Sequence, residues 1–343
     1  ELVVSLAASN PLRPDAGPRA FGMLDTVAVK DTLPPVVLRT DAIDPALLAS
    51  TPDANTNDPF IQERAAELDY DPNRIFGFLT QDVGYESYVG SLRGARGTLW
   101  SSAGNSLDEA SLGIALLRSS GIPSKYAQGT LSDPLAQQLI LSMFPSSFQT
   151  VGYIPSGTQT SDPVNDPKLL NETKQHYWIQ FDAGAGFQDA DSGFENATIG
   201  QTFAALQRTF VTVADSLRYK AEIRLNAEVY NTIGSFFSDS NGLPVPTTAF
   251  EHTFNVVDLV GKPLSIGHIV SRSGLSAIFT AVTNTYAPFL NVGDVAYADG
   301  ANDTIIRGSD YQEVLTNFPF GTQIVTGLFI SISTTGPDGS RQN

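Results

Sequence analysis

The chain contains no cysteine among its 343 residues. This absence excludes disulfide bonds, zinc sites with cysteine ligands and chemistry at a thiol, and it fits an exported bacterial protein. Basic residues are also scarce, with 20 Lys and Arg against 36 Asp and Glu and a formal net charge of -16. Because phosphate groups are bound by clustered cations, this composition argues against nucleic acid or anionic membranes as partners.

Long hydrophobic runs are missing as well, since no stretch approaches the roughly 18 apolar residues of a membrane-spanning helix. The hydrophobic fraction of 41% and the charged fraction of 16% are typical of a globular protein. The length suffices for two domains, each with its own core. The chain starts on Glu1 without an initiator Met or a signal sequence, and we expect it to be a piece of a longer polypeptide.

The local patterns divide the chain into three parts and predict an α+β protein. Residues 1–56 have weak periodicity and predict an irregular lead-in with one strand at "PPVVLRT". Residues 57–207 open with Asp58 and Asp71, each followed by proline, which predicts the N-caps of two helices. In residues 208–343, alternation as in "YKAEIRLNAEVY" and short strands between turn residues predict a β-sandwich-like domain.

The clearest helix signal lies in "SLDEASLGIALLRSSGIP". A one-sided apolar stripe recurs at steps of three and four residues: Leu107, Ala110, Ile114 and Leu117. Ser106 stands at the start of this helix, and "SLDE" reads as a capping box with Ser106 as N-cap and Glu109 reaching back to it. The free N–H groups and the dipole at such a position also suit a nucleophile. Ser106 is therefore either a helix cap or part of an active site.

A second candidate residue, His176, opens the segment "HYWIQFDAGAGFQDAD", which has the pattern of a β-hairpin. With Ala183 and Gly184 at the centre of the turn, His176 is expected directly opposite Asp191, whereas a longer loop would shift the register by two residues. Paired residues of neighbouring strands lie about 5 Å apart, which lets a carboxylate orient an imidazole. Ser106, His176 and Asp191 are the candidate catalytic residues.

A nucleophile at a helix start, a histidine on a strand and an aspartate on the next strand follow in the chain order of the transglutaminase-like branch of the papain-like fold. Local sequence also resembles this family. Gly104, Ser106, Asp108 and Ala110 match its pattern G-x-C-x-D-x-A, followed by "LLRSSGIPSKYAQG", then His176 with Trp178, then Phe187 before Asp191. The segment "VGYESYVGSLRGARGTLW" resembles such domains in large exported bacterial proteins, including those attached to YD-repeat shells.

The resemblance implies a transglutaminase-like domain with acyl transfer on amides as its chemistry. We expect it to precede the β-sandwich-like domain predicted from the alternation, within a secreted or surface-exposed multidomain bacterial protein. Peptide hydrolysis or glutamine crosslinking would be the outcome. The residues predict no cofactor and no metal ligands, and they do not decide whether the activity depends on calcium. The family's cysteine, however, is Ser106 here, and a hydroxyl is far less acidic than a thiol. Ser106 has three possible interpretations. It is an engineered substitution of the cysteine, a natural loss of the cysteine that leaves a binding or scaffold module, or a working serine nucleophile. Acyl-transfer activity is expected to be negligible, and the partners are a polypeptide substrate or neighbouring domains of the same chain.

The remaining conspicuous residues have structural interpretations. Trp178 and Phe187 are expected in the core, and Asp108 is expected to donate or accept structural hydrogen bonds near the helix start. His252 and His268 lack acidic neighbours at metal-ligand spacing and are expected to be structural. The oxygen-rich loops "DANTND" and "DGANDT" lack the spacing of a calcium loop and are expected to be solvated turns.

Overall fold

The computed structural model divides the chain into two compact units. The N-terminal unit comprises Ala8–Arg218, and the C-terminal unit comprises Tyr219–Asn343 together with Glu1–Ala7. The structure describes residues 2–4, 43–144, 162–231, 245–275, 281–297, 308–316 and 322–342. The strand expected at "PPVVLRT" and the loop "DGANDT" lie outside these residues.

The described part of the N-terminal unit contains six α-helices: α1 (Pro59–Glu67), α2 (Pro72–Asp82), α3 (Gly94–Ser101), α4 (Ser106–Ser119), α5 (Asp133–Ser142) and α6 (Pro167–Lys174). The first two begin as predicted. The carboxylate of Asp58 accepts a hydrogen bond from the N–H of Phe60 at 3.0 Å, and Asp71 accepts one from the N–H of Asn73 at 2.8 Å. Proline follows the N-cap of both helices. Its lack of an N–H is tolerated there, because an N–H in the first turn has no hydrogen-bond partner within the helix.

These helices pack with a small antiparallel sheet. Its strands are β4 (Ser124–Thr130), β5 (Gln175–Phe181), β6 (Gln188–Ala190) and β7 (Arg208–Phe210), in the spatial order β6-β5-β4-β7. Two short strands, β2 (Gly84–Tyr85) and β3 (Ala103–Gly104), pair in parallel just before α4. The segment that precedes Ser106 is thereby tied to the segment that precedes α3.

Helix α4 is the central element of the N-terminal unit. The sequence predicts a one-sided stripe, but every residue from Ser106 to Arg118 is buried. Helices α1, α2 and α3 pack against α4, and strands β4 and β5 pack against it too, so it has no solvent face. Gly113 permits this close packing, because an added Cβ would lie 2.2 Å from Cδ1 of Ile179 on β5.

The N-terminal unit extends beyond residue 207. Strand β7 pairs with β4, with Phe210 opposite Tyr126, and this pairing keeps the following segment in the same unit. The guanidinium of Arg218 then forms a buried ion pair with Asp53, with a shortest N–O distance of 2.7 Å. The unit therefore ends after Arg218, past the predicted domain boundary at residues 207/208.

The C-terminal unit is built around one large antiparallel sheet, where the alternating sequence predicts a β-sandwich-like domain. Its strands are β1 (Leu2–Val4), β8 (Lys220–Asn231), β9 (Val245–Asn255), β10 (Leu264–Leu275), β11 (Ala281–Val292), β12 (Val295–Tyr297), β13 (Tyr311–Thr316), β14 (Gln323–Thr335) and β15 (Arg341–Gln342). The main path runs β1-β10-β11-β13-β14-β8-β9, with β12 beside β11 and β15 beside β14. One short helix, α7 (Val256–Leu259), follows β9 in the described part of this unit.

This sheet curls until β9 approaches β11. The N–H of Gly308 donates a hydrogen bond to the carbonyl of Pro288 on β11 at 3.2 Å. A Cβ on Gly308 would lie 2.4 Å from the carbonyl oxygen of Ala249 on β9, so only glycine fits between the two strands. The curled sheet encloses the apolar core of the unit, and the predicted α+β fold class is confirmed. Among the described helices, none is both long and apolar enough to span a membrane.

Candidate active site

The N-terminus of α4 is capped by Asn105 rather than by Ser106. The Asn105 side chain accepts a hydrogen bond from the N–H of Asp108 at 2.9 Å, and its amide donates to the carbonyls of Tyr88 at 2.8 Å and Gly90 at 2.7 Å. Ser106 is the first helical residue. The predicted capping box is therefore wrong by one position, because the asparagine both caps the helix and binds the preceding loop.

The hydroxyl of Ser106 lies against strand β5. Its Oγ accepts a hydrogen bond from the N–H of Tyr177 at 3.2 Å and donates one to the carbonyl of Gln175 at 3.4 Å. These two backbone groups flank His176 in the sequence. The side chain at the helix start is thus placed beside the histidine, and Ser106 is only 5% exposed.

His176 and Asp191 form a buried pair next to this hydroxyl. Nε2 of His176 lies 2.8 Å and 2.9 Å from the two carboxylate oxygens of Asp191, and both side chains are fully buried. The carboxylate also accepts a hydrogen bond from the N–H of Phe203 at 3.1 Å. Because Nε2 donates to Asp191, Nδ1 is the nitrogen left for chemistry, and no described residue is hydrogen-bonded to it.

The pair arises from a hairpin register that differs from the predicted one. Ile179 pairs with Ala190 and Phe181 with Gln188, which shifts the register by two residues. The loop spans residues 182–187, where the Asp182 side chain accepts hydrogen bonds from two glycine N–H groups, at 2.8 Å and 2.9 Å. Asp191 therefore follows β6 and reaches His176 diagonally instead of from the directly opposite position.

Two aromatic residues predicted in the core behave differently. Trp178 is 1% exposed, its ring stacks 6.1 Å from that of His176, and its Nε1 donates to Asp189 at 2.7 Å. Phe187 is instead 42% exposed, because it lies in the long hairpin loop, where the ammonium of Lys125 sits 4.0 Å from its ring centre. The core prediction is confirmed for Trp178 and wrong for Phe187.

Asp108 organises the loop in front of α3. It is fully buried, and its carboxylate accepts five hydrogen bonds of 2.8 to 3.1 Å, from the hydroxyls of Tyr88 and Ser91 and the backbone N–H groups of Leu92, Arg93 and Gly94. Burial raises the pKa of Asp108, while these hydrogen bonds act in the opposite direction. Its role is structural, as the sequence predicts.

Glu109 is a buried acid, although the sequence predicts for it only a role in capping the helix. Its side chain is 2% exposed, and burial raises the pKa of its carboxyl well above the ordinary value, with the charges of Asp191 and Asp108 adding to the effect. The one-sided apolar stripe predicts a solvent face for α4, so no local signal indicates the burial of Glu109. The helix has no such face, and a carboxyl on it is therefore buried.

Part of the N-terminal unit matches a known protein family. Residues 55–192 match the family model described as "Transglutaminase-like superfamily". This range contains Ser106, His176 and Asp191. The N-terminal unit contains a transglutaminase-like superfamily domain. Among the described residues of this domain and of the C-terminal unit, no group of three or more His, Asp or Glu side chains is arranged to hold a metal ion.

Two solved structures show distant similarity. A putative cysteine protease from Cytophaga hutchinsonii is 13% identical with a TM-score of 0.30, and the match covers 83% of this chain but only 62% of that protein. Red sea bream transglutaminase is 10% identical with a TM-score of 0.22, and the match covers 84% of this chain and 69% of that protein. No curated protein matches the chain.

Proposed function

We propose that the transglutaminase-like domain keeps the His176–Asp191 half of an acyl-transfer site while Ser106 stands where related enzymes carry a nucleophilic cysteine, and that the chain is inactive in acyl transfer as written. One observation carries the proposal. Nδ1 of His176 has no hydrogen-bond partner among the described residues, while the Ser106 hydroxyl beside it is bonded to the backbone of β5. These contacts support a role of His176 as the base, with Nδ1 available and the Ser106 hydroxyl not hydrogen-bonded to it.

The expected chemistry follows from the placement of these groups. A nucleophile at position 106 would attack an amide carbonyl carbon, release the amine, and pass the acyl group to an amine or to water. The free N–H groups at the start of α4 favour a negative charge there, and Asp191 stabilises the imidazolium that forms on His176. A thiol benefits from both effects. A serine hydroxyl, with its much higher pKa, gains little from them.

The test is to place a thiol at position 106 by Ser106→Cys and to label it with iodoacetamide as a function of pH. The chain has no other cysteine, so labelling reports on this position alone. We expect a thiol pKa below the ordinary value of about 8.5. Adding His176→Gln should reduce the labelling rate at neutral pH by at least about tenfold, because the imidazolium that stabilises the thiolate is lost.

Ser119→Cys is the matched control, because it places a thiol at the opposite end of the same helix. The negative end of the helix dipole disfavours a thiolate there, so the pKa of this thiol should be at or above the ordinary value. Its labelling rate should not change in His176→Gln. Equal labelling profiles at positions 106 and 119 would refute the acyl-transfer site. Covalent labelling of Ser106 in the unmodified chain by a fluorophosphonate would instead show a working serine.

A second candidate function is a non-catalytic module that binds a polypeptide or braces neighbouring domains. The near-complete burial of Ser106, His176 and Asp191 favours it, since such a site admits no substrate without opening. In that case the thiol of Ser106→Cys reacts slowly and only after local unfolding. For either function we propose that the domain belongs to a larger secreted or surface-exposed bacterial protein, whose other domains are its partners.

A further inference from the structure

The segment that follows β6 closes around the imidazole of His176. Residues 191–207 are all described and form no helix or strand before β7 begins at Arg208. Within this segment the ring of Phe194 is buried, with its centre 6.2 Å from that of His176 and 4.1 Å from that of Phe203. The segment therefore forms part of the wall that buries the base of the candidate active site.

The same segment also holds the carboxylate of Asp191 at both of its oxygens. Oδ1 accepts a hydrogen bond from the N–H of Gly193 at 3.4 Å, and Oδ2 accepts one from the N–H of Phe203 at 3.1 Å. The two oxygens lie 2.8 Å and 2.9 Å from Nε2 of His176. Because the carboxylate is held at both oxygens, it fixes the orientation of the imidazole that is bound to it.

Gly193 lies directly against this pair. A Cβ added there would lie 3.1 Å from Cε1 of His176 and 3.6 Å from Oδ1 of Asp191, and the three atoms nearest to it all belong to these two side chains. Carbon atoms pack best at about 3.5–4.0 Å, so a methyl group would press on the imidazole. The φ angle of Gly193 lies outside the left-handed region, so its backbone would accept alanine. The need for glycine at this position therefore comes from the His176–Asp191 pair.

We propose that Gly193 is a positioning residue of the candidate active site, whose missing side chain lets His176 bind Asp191 through Nε2 while Nδ1 stays available to position 106. The inference rests on the proposed function because it concerns the same base. Cε1 is the ring atom between the two nitrogens, so a group that presses on it displaces both of them. A displaced imidazole binds Asp191 less well and stabilises a thiolate at position 106 less. Gly193 acts through the base and its carboxylate.

The first experiment observes the His176–Asp191 hydrogen bond by proton NMR in the chain with Ser106 unchanged. The proton on Nε2 should resonate downfield of the amide protons and is identified by its loss in His176→Gln. In Gly193→Ala this resonance should move upfield, and its exchange with water should become at least about threefold faster, because the hydrogen bond is lengthened. An unchanged resonance would overturn the proposal.

Gly200→Ala is the matched control in the same segment. The φ angle of Gly200 is +90°, and no described atom lies within 4 Å of a Cβ added there. Alanine is strained at this φ, so Gly200→Ala should lower the midpoint of urea unfolding and leave the Nε2 proton unchanged. Gly193→Ala should lower the unfolding midpoint less than Gly200→Ala does. A larger fall for Gly193→Ala would show that this glycine serves the stability of the fold, and would also overturn the proposal.

The second experiment follows iodoacetamide labelling of the Ser106→Cys chain against pH. Adding Gly193→Ala should raise the pKa of the thiol toward its ordinary value and lower the labelling rate at neutral pH by at least about threefold, whereas Gly200→Ala should leave the profile unchanged. Labelling that depends on His176 but is the same with glycine or alanine at position 193 refutes the role of Gly193 alone. Labelling that does not depend on His176 refutes the proposed function instead.

Discussion

Asp108 and Glu109 are adjacent acids on α4, but their side chains have different surroundings. Asp108 accepts hydrogen bonds from a loop and holds it in place, whereas the pKa of Glu109, one residue later, is raised by burial and by the charges of Asp191 and Asp108. In the sequence both belong to "SLDE", where they read as helix-start acids. The two side chains differ because the fold brings the loop before α3 to Asp108. The local sequence around Asp108 does not indicate this contact.

Asp108→Asn should destabilise the protein strongly. An amide has one acceptor oxygen and one donating NH2, so the NH2 would face the N–H groups of Leu92 and Arg93 if it replaces Oδ2, or the N–H of Gly94 if it replaces Oδ1. We expect a loss of roughly 2–4 kcal/mol in the free energy of unfolding, measured by urea denaturation.

Asp189→Asn is the matched control for this change. Oδ1 of Asp189 accepts from Nε1 of Trp178 at 2.7 Å and Nε2 of Gln180 at 2.8 Å, and an amide oxygen can accept both. Its cost should stay below about 1 kcal/mol. Equal costs for the two variants would contradict the assignment of Asp108 as the organiser of the loop.

At the scale of elements, the sequence predicted the helices better than the pairing of the strands. The α1, α2 and α4 helices follow from their caps and periodicity, and α4 begins within one residue of the prediction. The sequence left two hairpin registers open because the register depends on the length of the loop, and Asp182 stabilises the longer loop rather than the two-residue turn. Asp191 still forms its hydrogen bond with His176, because the two side chains together span the distance between diagonal positions of the hairpin.

Close packing of strand β4 provides a prediction at this scale. Gly129 lies opposite His176 in the β4–β5 pair, and an added Cβ would meet the carbonyl oxygen of Ala205 at 2.5 Å and the ring of Trp178 at 3.1 Å. Gly129→Ala should therefore cost roughly 1–3 kcal/mol in the free energy of unfolding.

Gly77→Ala is the control for Gly129→Ala. Gly77 lies within α2 with open space around the position of a Cβ, so alanine should stabilise the protein by roughly 0.5–1 kcal/mol. Thermal and urea unfolding of the two variants would measure both effects. A neutral or stabilising Gly129→Ala would show that residues 204–205 are free to move away from β4.

At the scale of the whole molecule, the period of the hydrophobic pattern predicted which part of the chain is helical and which is all-β. The unit boundary was harder to place, because Arg208–Phe210 has an ordinary strand sequence that could belong to either unit. Its pairing with β4 and the buried ion pair between Arg218 and Asp53 decide the matter, and both are contacts between residues far apart in the sequence. Long-range contacts of this kind are not encoded in local periodicity.

The division into two units leads to a last prediction, that the C-terminal unit supplies no group to the chemistry at position 106. Its two histidines have partners of their own. Nε2 of His268 lies 2.7 Å from the hydroxyl of Tyr311, and desolvation lowers the pKa of His268. The ring of His252 lies 4.4 Å from that of Phe254 within an aromatic cluster. In the Ser106→Cys chain, His252→Gln and His268→Gln, alone or combined, should leave the pH profile of iodoacetamide labelling within about twofold of the parent, whereas His176→Gln suppresses it. A tenfold fall in the rate on changing either histidine of the C-terminal unit would mean that this unit takes part in the site after all.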